Sequence, residues 1–201
     1  MLPRELSVGY HRPVLDPTAR PRPRLLPMLR LLADHDVRWV LTGSAVLAIY
    51  GADIVPNDLD VTPSLALDNL SRLARALTEA SAIPAFVPEW RADQTVEWCR
   101  RWRPEPATEQ HLDHLFVTRL GMLDVPPRLC GSYDELLPLA ATVEVGGVPV
   151  RVCHPREVLD RLDGRDRAKD RERAHLYAAM RGRGAEALAP TGVDRLLAAL
   201  P

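Results

Sequence analysis

The sequence lacks an excess of charge of either sign. In a chain of 201 residues, 26 basic side chains face 27 acidic ones, and the net charge is -1. The molecule as a whole therefore has no electrostatic attraction to nucleic acid or to an anionic membrane, and such binding would need a local patch. An uninterrupted apolar run of about 18 residues, which a transmembrane helix requires, is absent as well. Because no signal-peptide pattern stands at the start, the sequence predicts a cytoplasmic protein without a membrane partner.

Cysteine and lysine are both scarce. The three cysteines, Cys99, Cys130 and Cys153, are far apart and form no Cys-x-x-Cys pair. This spacing argues against a disulfide framework and a structural zinc site, and it favours buried thiols. Lys169 is the single lysine among the 26 basic residues. Because arginine is used everywhere else, this position is one where a compact ammonium group is favoured.

Three regions differ in composition and in pattern. Residues 1–23 are rich in proline and arginine, which predicts an extended arm over the surface without a chemical role. Residues 24–153 alternate between helical and strand patterns and form the predicted core. Residues 154–201 are charged and helical. The predicted fold is therefore of the α/β (α+β) class, with a mixed β-sheet flanked by helices and a helical C-terminal part.

Hydrophobic periodicity and turn residues place the individual elements. Strands are predicted at 37–41, 59–61, 112–118, 122–125, 143–145 and 148–152. Helices are predicted at 24–34, 45–50, 70–80, 132–139, 155–181 and 193–200. The pair Gly146-Gly147 predicts a tight hairpin, because both residues accept the positive φ angles of such a turn.

An acidic pair stands in the sequence Asp58-Leu59-Asp60-Val61. Side chains alternate along a strand, so the two aspartates are expected on one face while Leu59 and Val61 point to the core. Two carboxylates on one face can converge on a hard divalent cation such as Mg²⁺, which prefers oxygen ligands. A solvated turn is the alternative for an isolated Asp-x-Asp match.

A glycine and a serine, Gly43 and Ser44, stand upstream of this pair between an apolar strand and a helix. Backbone N–H groups at the start of a helix favour a phosphate. Glycine permits close approach of the backbone, and the serine hydroxyl can donate to a phosphate oxygen. The alternative is that Ser44 only caps the helix.

The order of these motifs resembles a known superfamily. The segment Leu41–Gly51 followed by Asp58-Leu59-Asp60 is similar to the Gly-Ser, spacer, Asp-x-Asp signature of the DNA polymerase β-like nucleotidyltransferases. Within that superfamily the chain resembles the small prokaryotic proteins related to the AbiEii toxins. Downstream, Gly121-Met122-Leu123-Asp124 resembles their Gly-x-Leu-Asp element, and Arg167-Ala168-Lys169-Asp170 resembles their Arg-x-Lys-Asp run. The likeness covers about residues 37–178.

The resemblance implies a Mg²⁺-dependent enzyme that moves a nucleoside monophosphate from an NTP to an acceptor. The acceptors it implies are the 3′ end of an RNA such as tRNA, a protein hydroxyl or a small molecule. It also implies the toxin of a toxin-antitoxin pair, with an antitoxin protein as partner. The residues it assigns are Asp58, Asp60 and Asp124 for metal binding and catalysis, and Gly43, Ser44, Lys169 and Arg167 for nucleotide binding.

Other interpretations of the same residues stay open. A catalytically inactive binding module would keep the fold. Lys169 lies in a run of charges, which is usually a solvated helix face. The segment 89–103 combines tryptophan with arginine, as nucleic-acid contacts do, but Trp98 and Trp102 are four residues apart and would share the core side of a helix. The histidines lack the spacing of a zinc site, and neither a Walker loop nor a serine-hydrolase elbow is present.

Overall fold

The structure is a computed structural model that describes residues 14–90, 94–163, 165, 167–183 and 189–201. Residues 1–13 of the predicted arm and residues 91–93 of the tryptophan- and arginine-rich segment lie outside the described residues. Residues 164 and 166, which belong to the predicted helical stretch 155–181, lie outside them too.

The described strands form one mixed sheet. They are β1 Trp39–Thr42, β2 Leu59–Pro63, β3 Ile83–Pro84, β4 Leu115–Thr118, β5 Gly121–Asp124, β6 Ala141–Val145 and β7 Val148–Val152. Their order across the sheet is β3-β4-β5-β2-β1-β7-β6. The pairs β1–β7 and β2–β5 are parallel, and the other neighbouring pairs are antiparallel. With helices packed on this sheet, the predicted fold class is confirmed.

Most predicted helices are present with small shifts of their ends. The stretch predicted as helical at 155–181 is wrong in its middle, because one helix ends at Leu162 and the next begins at Ala168, and two short helices at Val96–Arg101 and Glu109–Leu112 were not predicted. The described helices are α1 Leu25–Asp34, α2 Gly43–Ile49, α3 Leu67–Glu79, α4 Val96–Arg101, α5 Glu109–Leu112, α6 Tyr133–Leu136, α7 Pro155–Leu162, α8 Ala168–Gly182 and α9 Val193–Ala199. A 3₁₀ turn at Leu137–Leu139 extends α6. The expected strand at 112–118 begins only at Leu115, because Thr108 caps α5 through its side chain and Leu112 belongs to that helix.

Apolar spacing explains the longest elements of the core. In α3, Leu70, Leu73 and Leu77 fall on one face and are almost fully buried, as their 3.6-residue period predicts. The hairpin between β6 and β7 turns at Gly146 and Gly147, whose φ angles are +56° and +81°. The two glycines were predicted at this turn because glycine accepts such positive φ angles.

Residues of four neighbouring strands lie side by side at one edge of the sheet. Thr42, the last residue of β1, lies opposite Asp60 of β2. On the other side of β2, Asp60 lies opposite Asp124, the last residue of β5. The end of β7 meets the same edge, since Val152 lies opposite Leu41.

The described part of the N-terminal arm is hydrogen-bonded to the main body. Pro17 accepts from the backbone N–H of Phe86 at 2.8 Å, and Pro21 accepts from that of Met122 at 3.2 Å. At Gly121 (φ +104°) a Cβ atom would lie 2.3 Å from the carbonyl oxygen of Arg22, so the turn after β4 needs a glycine for the arm to pass. The arm therefore covers the sheet on the side of β3, β4 and β5.

The C-terminal helices share the core of the sheet. Leu196 and Leu200 are buried in the same apolar cluster as α1. Gly192 approaches α2 so closely that a Cβ atom there would lie 1.9 Å from the carbonyl oxygen of Ala48. The division of the chain at residues 23 and 153 stays a prediction. Among the described helices none has the length and hydropathy to cross a membrane.

Candidate active site

Three aspartates meet at the sheet edge described above. Asp60 lies within β2 and Asp124 ends the neighbouring parallel strand β5, while Asp58 stands just before β2. One carboxylate oxygen of each residue lies within 4.8 Å of the others. Two of the three positions are thus fixed by backbone pairing between adjacent strands, which holds the carboxylates together without a ligand.

Burial and mutual repulsion perturb this triad. The side chain of Asp60 is 8% exposed, and desolvation followed by the charges of Asp58 and Asp124 raises its pKa well above the usual range. Desolvation, with the charge of Asp58 next, raises the pKa of Asp124 to about 7. Desolvation also raises the pKa of Asp58, against the opposing charge of Lys169. The site is therefore short of positive charge.

The donor set of the triad suits a hard divalent cation. It consists of three carboxylates, and the described part of the chain brings no other group of three acidic, histidine or cysteine ligands together in this way. Mg²⁺ is bound through carboxylate oxygens, usually with waters and substrate phosphates completing its shell. Asp58, Asp60 and Asp124 could therefore hold it, and a cation would offset the burial and the mutual repulsion that raise the pKa values of Asp60 and Asp124.

The turn from β1 into α2 is shaped by Asp60. Gly43 has a φ angle of +66°, and a Cβ atom at this position would lie 2.0 Å from Oδ2 of Asp60. Only glycine lets the carboxylate lie against the backbone here. Ser44 follows on the wall of the same cleft. The helix α2 begins at Gly43 with Thr42 as its N-cap residue, so Ser44 is the second residue of the helix and not its cap.

All seven residues singled out from the sequence line one cleft of about 510 Å³. Residues of α7, of α8 and of the segment between them form a basic wall of the same cleft. Lys169 is exposed there and acts electrostatically on both Asp58 and Asp60. Arg167 is held by the buried Asp170, with Nε to Oδ2 at 2.5 Å and Nη2 to Oδ1 at 3.1 Å. Other cations of this wall are Arg161, Arg165 and Arg173.

Sequence reasoning missed Arg20, which the arm places on the cleft wall. Its guanidinium group donates to the carbonyl oxygens of Pro17 at 3.0 Å, Ala19 at 2.8 Å and Phe86 at 2.7 Å. These bonds fix the cation beside the residues that follow β3. The arm was expected to have no chemical role, and no periodic pattern in it could have indicated this placement.

Cys130 also belongs to the cleft wall, although the sequence suggested only buried thiols. Cys99 and Cys153 are buried, but Cys130 is half-buried. Hydrogen bonds from Cys153 and from the backbone N–H of Gly43 hold the pKa of Cys130 below its usual range. The interaction with Cys130, followed by burial, raises the pKa of Cys153.

The tryptophans of the segment 89–103 have different environments. Trp102 is 5% exposed and stacks on His111 with ring centroids 5.0 Å apart, and it packs against Phe116 at the same distance. Its place is the core, but Trp98 is 36% exposed, so the expectation that both tryptophans share the core side of a helix is wrong for Trp98. Trp90 is 66% exposed and lies between the cleft and an adjoining cavity of about 230 Å³. That cavity also reaches Asp124, so the two spaces meet at this carboxylate.

No protein-family model matches the chain, and no curated protein matches it. Among solved structures the chain is similar to the solution structure of the antibiotic-resistance factor ANT(2'')-Ia. The two share 15% identity over 86% of each chain, with a TM-score of 0.46. Similarity at this level does not assign an activity, so the residues of the site must do so.

Proposed function

We propose that the protein is a Mg²⁺-dependent nucleotidyltransferase that moves a nucleoside monophosphate from an NTP to an acceptor hydroxyl. The observation that carries this proposal is the meeting of Asp58, Asp60 and Asp124 at one sheet edge, in a single cleft that also has a basic wall. An acidic metal site that shares a cleft with several cations suits a substrate with a polyphosphate chain. The motif order of the sequence supports the same assignment.

The residues that line the cleft have different roles in the proposed reaction. Gly43 and Ser44 contact the β and γ phosphates, with the serine hydroxyl donating to a phosphate oxygen. Lys169 and Arg167 balance the negative charge as pyrophosphate leaves. Asp58, Asp60 and Asp124 would hold the Mg²⁺, which would supply electrostatic stabilisation of the attacking and leaving oxygens.

Asp124 borders the space in which an acceptor would lie. It lines both the cleft and the smaller cavity beside Trp90, so it can orient an acceptor hydroxyl and take its proton. The exposed ring of Trp90 offers a surface for stacking, and Arg20 adds a fixed cation beside it. These residues fit an acceptor such as an RNA 3′ end, a protein hydroxyl or a small molecule.

The test uses the full-length protein with each of the four NTPs labelled at the α phosphate, Mg²⁺, and either total RNA or cell lysate. We expect label in one class of acceptor together with release of pyrophosphate. Asp60→Asn should lower transfer at least about a hundredfold, because it removes a charge used in the reaction. Asp53→Asn, at a side chain 84% exposed, is the matched control. Undiminished transfer by Asp60→Asn refutes the proposal.

The same experiment separates the enzyme from the inactive module with the same fold. NTP binding by the wild type without any pyrophosphate release favours the module. We also propose, from the likeness to the AbiEii toxins, that the protein acts as a toxin in the cytoplasm. This role has a separate test. Induced expression should arrest growth, Asp58→Asn should relieve the arrest, and an arrest unchanged by this substitution contradicts the role.

A further inference from the structure

The two outermost strands of the sheet, β3 and β6, differ in how they are protected. The strand β3 has two residues, one of them Pro84, and the arm passes beside it, where Pro17 accepts from the backbone N–H of Phe86. The strand β6 has five residues without proline or lysine, and among the described strands it pairs with β7 alone. Short strands, proline, lysine and covering segments are the usual protections of an outermost strand. The side of β6 that faces away from β7, called here the open side, has none of them and can accept another strand.

The register of the hairpin shows which backbone groups β6 presents on its open side. Glu144 lies opposite Pro149 of β7, and proline has no N–H to donate to a ladder. Hydrogen-bonded and non-hydrogen-bonded pairs alternate along an antiparallel ladder. Glu144 and Thr142 therefore hold non-hydrogen-bonded places against β7, and their N–H and C=O groups point to the open side. The side chains of both residues are exposed.

We propose that the open side of β6 binds β6 of a second copy of this chain, so that the two sheets join in an antiparallel dimer. The two-fold axis passes at Val143, because only this register pairs both outward-pointing residues of one copy with those of the other. Thr142 then lies opposite Glu144 of the second copy, and Glu144 lies opposite its Thr142. Each pair exchanges both of its N–H···O=C hydrogen bonds.

The exposed side chains of the hairpin are complementary to those of a second copy. Arg151 of β7 lies opposite Thr142 and donates from Nη1 to its Oγ1 at 3.0 Å, so the guanidinium group is held over β6. In the proposed register Glu144 of the second copy is the next residue on the same face, about 4.8 Å further across the sheet. The two-fold axis forms this contact between opposite charges twice and places no like charges opposite each other. A surface that carries both partners of the contact fits its own copy.

Pairing through β6 leaves the candidate active site accessible. The strands β2 and β5, which carry Asp60 and Asp124, are separated from β6 by β1 and β7. The dimer therefore goes beyond the proposed function and does not depend on it. Because a strand of five residues makes a small contact, we expect a dissociation constant on the order of micromolar.

Sedimentation equilibrium of the full-length protein, from about 1 to about 300 µM, tests the pairing. The wild type should shift from the 22.4 kDa of a single chain to twice that mass. Glu144→Pro should stay monomeric, because proline removes a donor from the open side and none that β7 uses. Circular dichroism checks that this variant is folded. A wild type that stays monomeric, a wild type that forms assemblies larger than a dimer, or a folded Glu144→Pro that dimerises as tightly as the wild type overturns the proposal.

Two charge reversals test the register and the identity of the partner without a proline. Glu144→Arg and Arg151→Glu each bring like charges together at both contacts, so each variant alone should dimerise at least about tenfold more weakly than the wild type. An equimolar mixture of the two variants should dimerise again, because each copy supplies the charge that the other lacks. Arg156→Glu, at an exposed arginine of α7, is the matched control and should dimerise as the wild type does. A mixture that is no more dimeric than the single variants overturns the proposal.

Discussion

Replacing Asp124 by asparagine should make the metal-free protein less sensitive to pH. Burial and the charge of Asp58 raise the pKa of Asp124 to about 7, so the folded protein favours the protonated carboxyl. Below the pKa of the unfolded chain, about 3.9, the resulting stabilisation is fully present, and it is lost as the pH rises through about 7. Asparagine mimics the uncharged form at every pH.

The size of the effect follows from the shift. About three pKa units correspond to about 4 kcal/mol, of which roughly two thirds is lost between pH 5 and pH 8. Asp124 keeps part of its surface open to the cleft, and screening by water there reduces the expected loss to about 1.5 kcal/mol. Asp58 and Asp60 act in the same direction, so this value is a lower bound for the triad.

Urea denaturation in the presence of EDTA measures this difference. Between pH 5 and pH 8, the free energy of unfolding of the wild type should fall by at least about 1.5 kcal/mol more than that of Asp124→Asn. Glu144→Gln, which removes a carboxylate from the exposed face of β6, should follow the wild type. Adding Mg²⁺ at pH 8 should stabilise the wild type by about 1–3 kcal/mol if the ion binds only the folded chain. Equal pH dependence in the wild type and Asp124→Asn, with no response to Mg²⁺, would show that the three carboxylates do not repel one another as described.

Three further substitutions test the walls of the cleft. Gly43→Ala should lower transfer at least about a hundredfold, because its Cβ would lie 2.0 Å from Oδ2 of Asp60; an unchanged rate contradicts that contact. Lys169→Ala should weaken NTP binding about tenfold or more in equilibrium dialysis, and Arg171→Ala is the control from the same helix. If Lys169→Ala binds NTP as tightly as the wild type, Lys169 belongs to a solvated helix face. Arg20→Ala should raise the KM for the acceptor while circular dichroism stays unchanged, since its bonds to Pro17 and Phe86 place the cation on the acceptor side. A KM equal to that of the wild type argues against this role.

Local patterns predicted the elements that hold the site. The apolar spacing in α3 and the Gly146-Gly147 turn depend on neighbouring residues, so the sequence alone reveals them. The acidic pair was recognised for the same reason, although Asp58 stands just before β2 rather than within it. Its nearness to Asp124 could be inferred only from a motif, because it depends on which strands pair.

Contacts between distant segments could not be predicted in this way. Arg20 reaches the cleft through a carbonyl oxygen 66 residues away, in a proline-rich stretch without periodicity. Cys130 lines the same cleft from the loop that follows β5. Neither placement has a local signal, since strand order is set by packing of the whole sheet.

The position of Lys169 has a practical consequence for experiments on this protein. It supplies the single side-chain amine of the chain, and it is exposed at the mouth of the cleft. An amine-reactive dye applied to the native protein would therefore label one side chain beside the proposed phosphate site, apart from the N-terminal amine. A bound nucleotide should protect that amine from the dye. The loss of labelling would then measure nucleotide binding without a turnover assay and without a known acceptor.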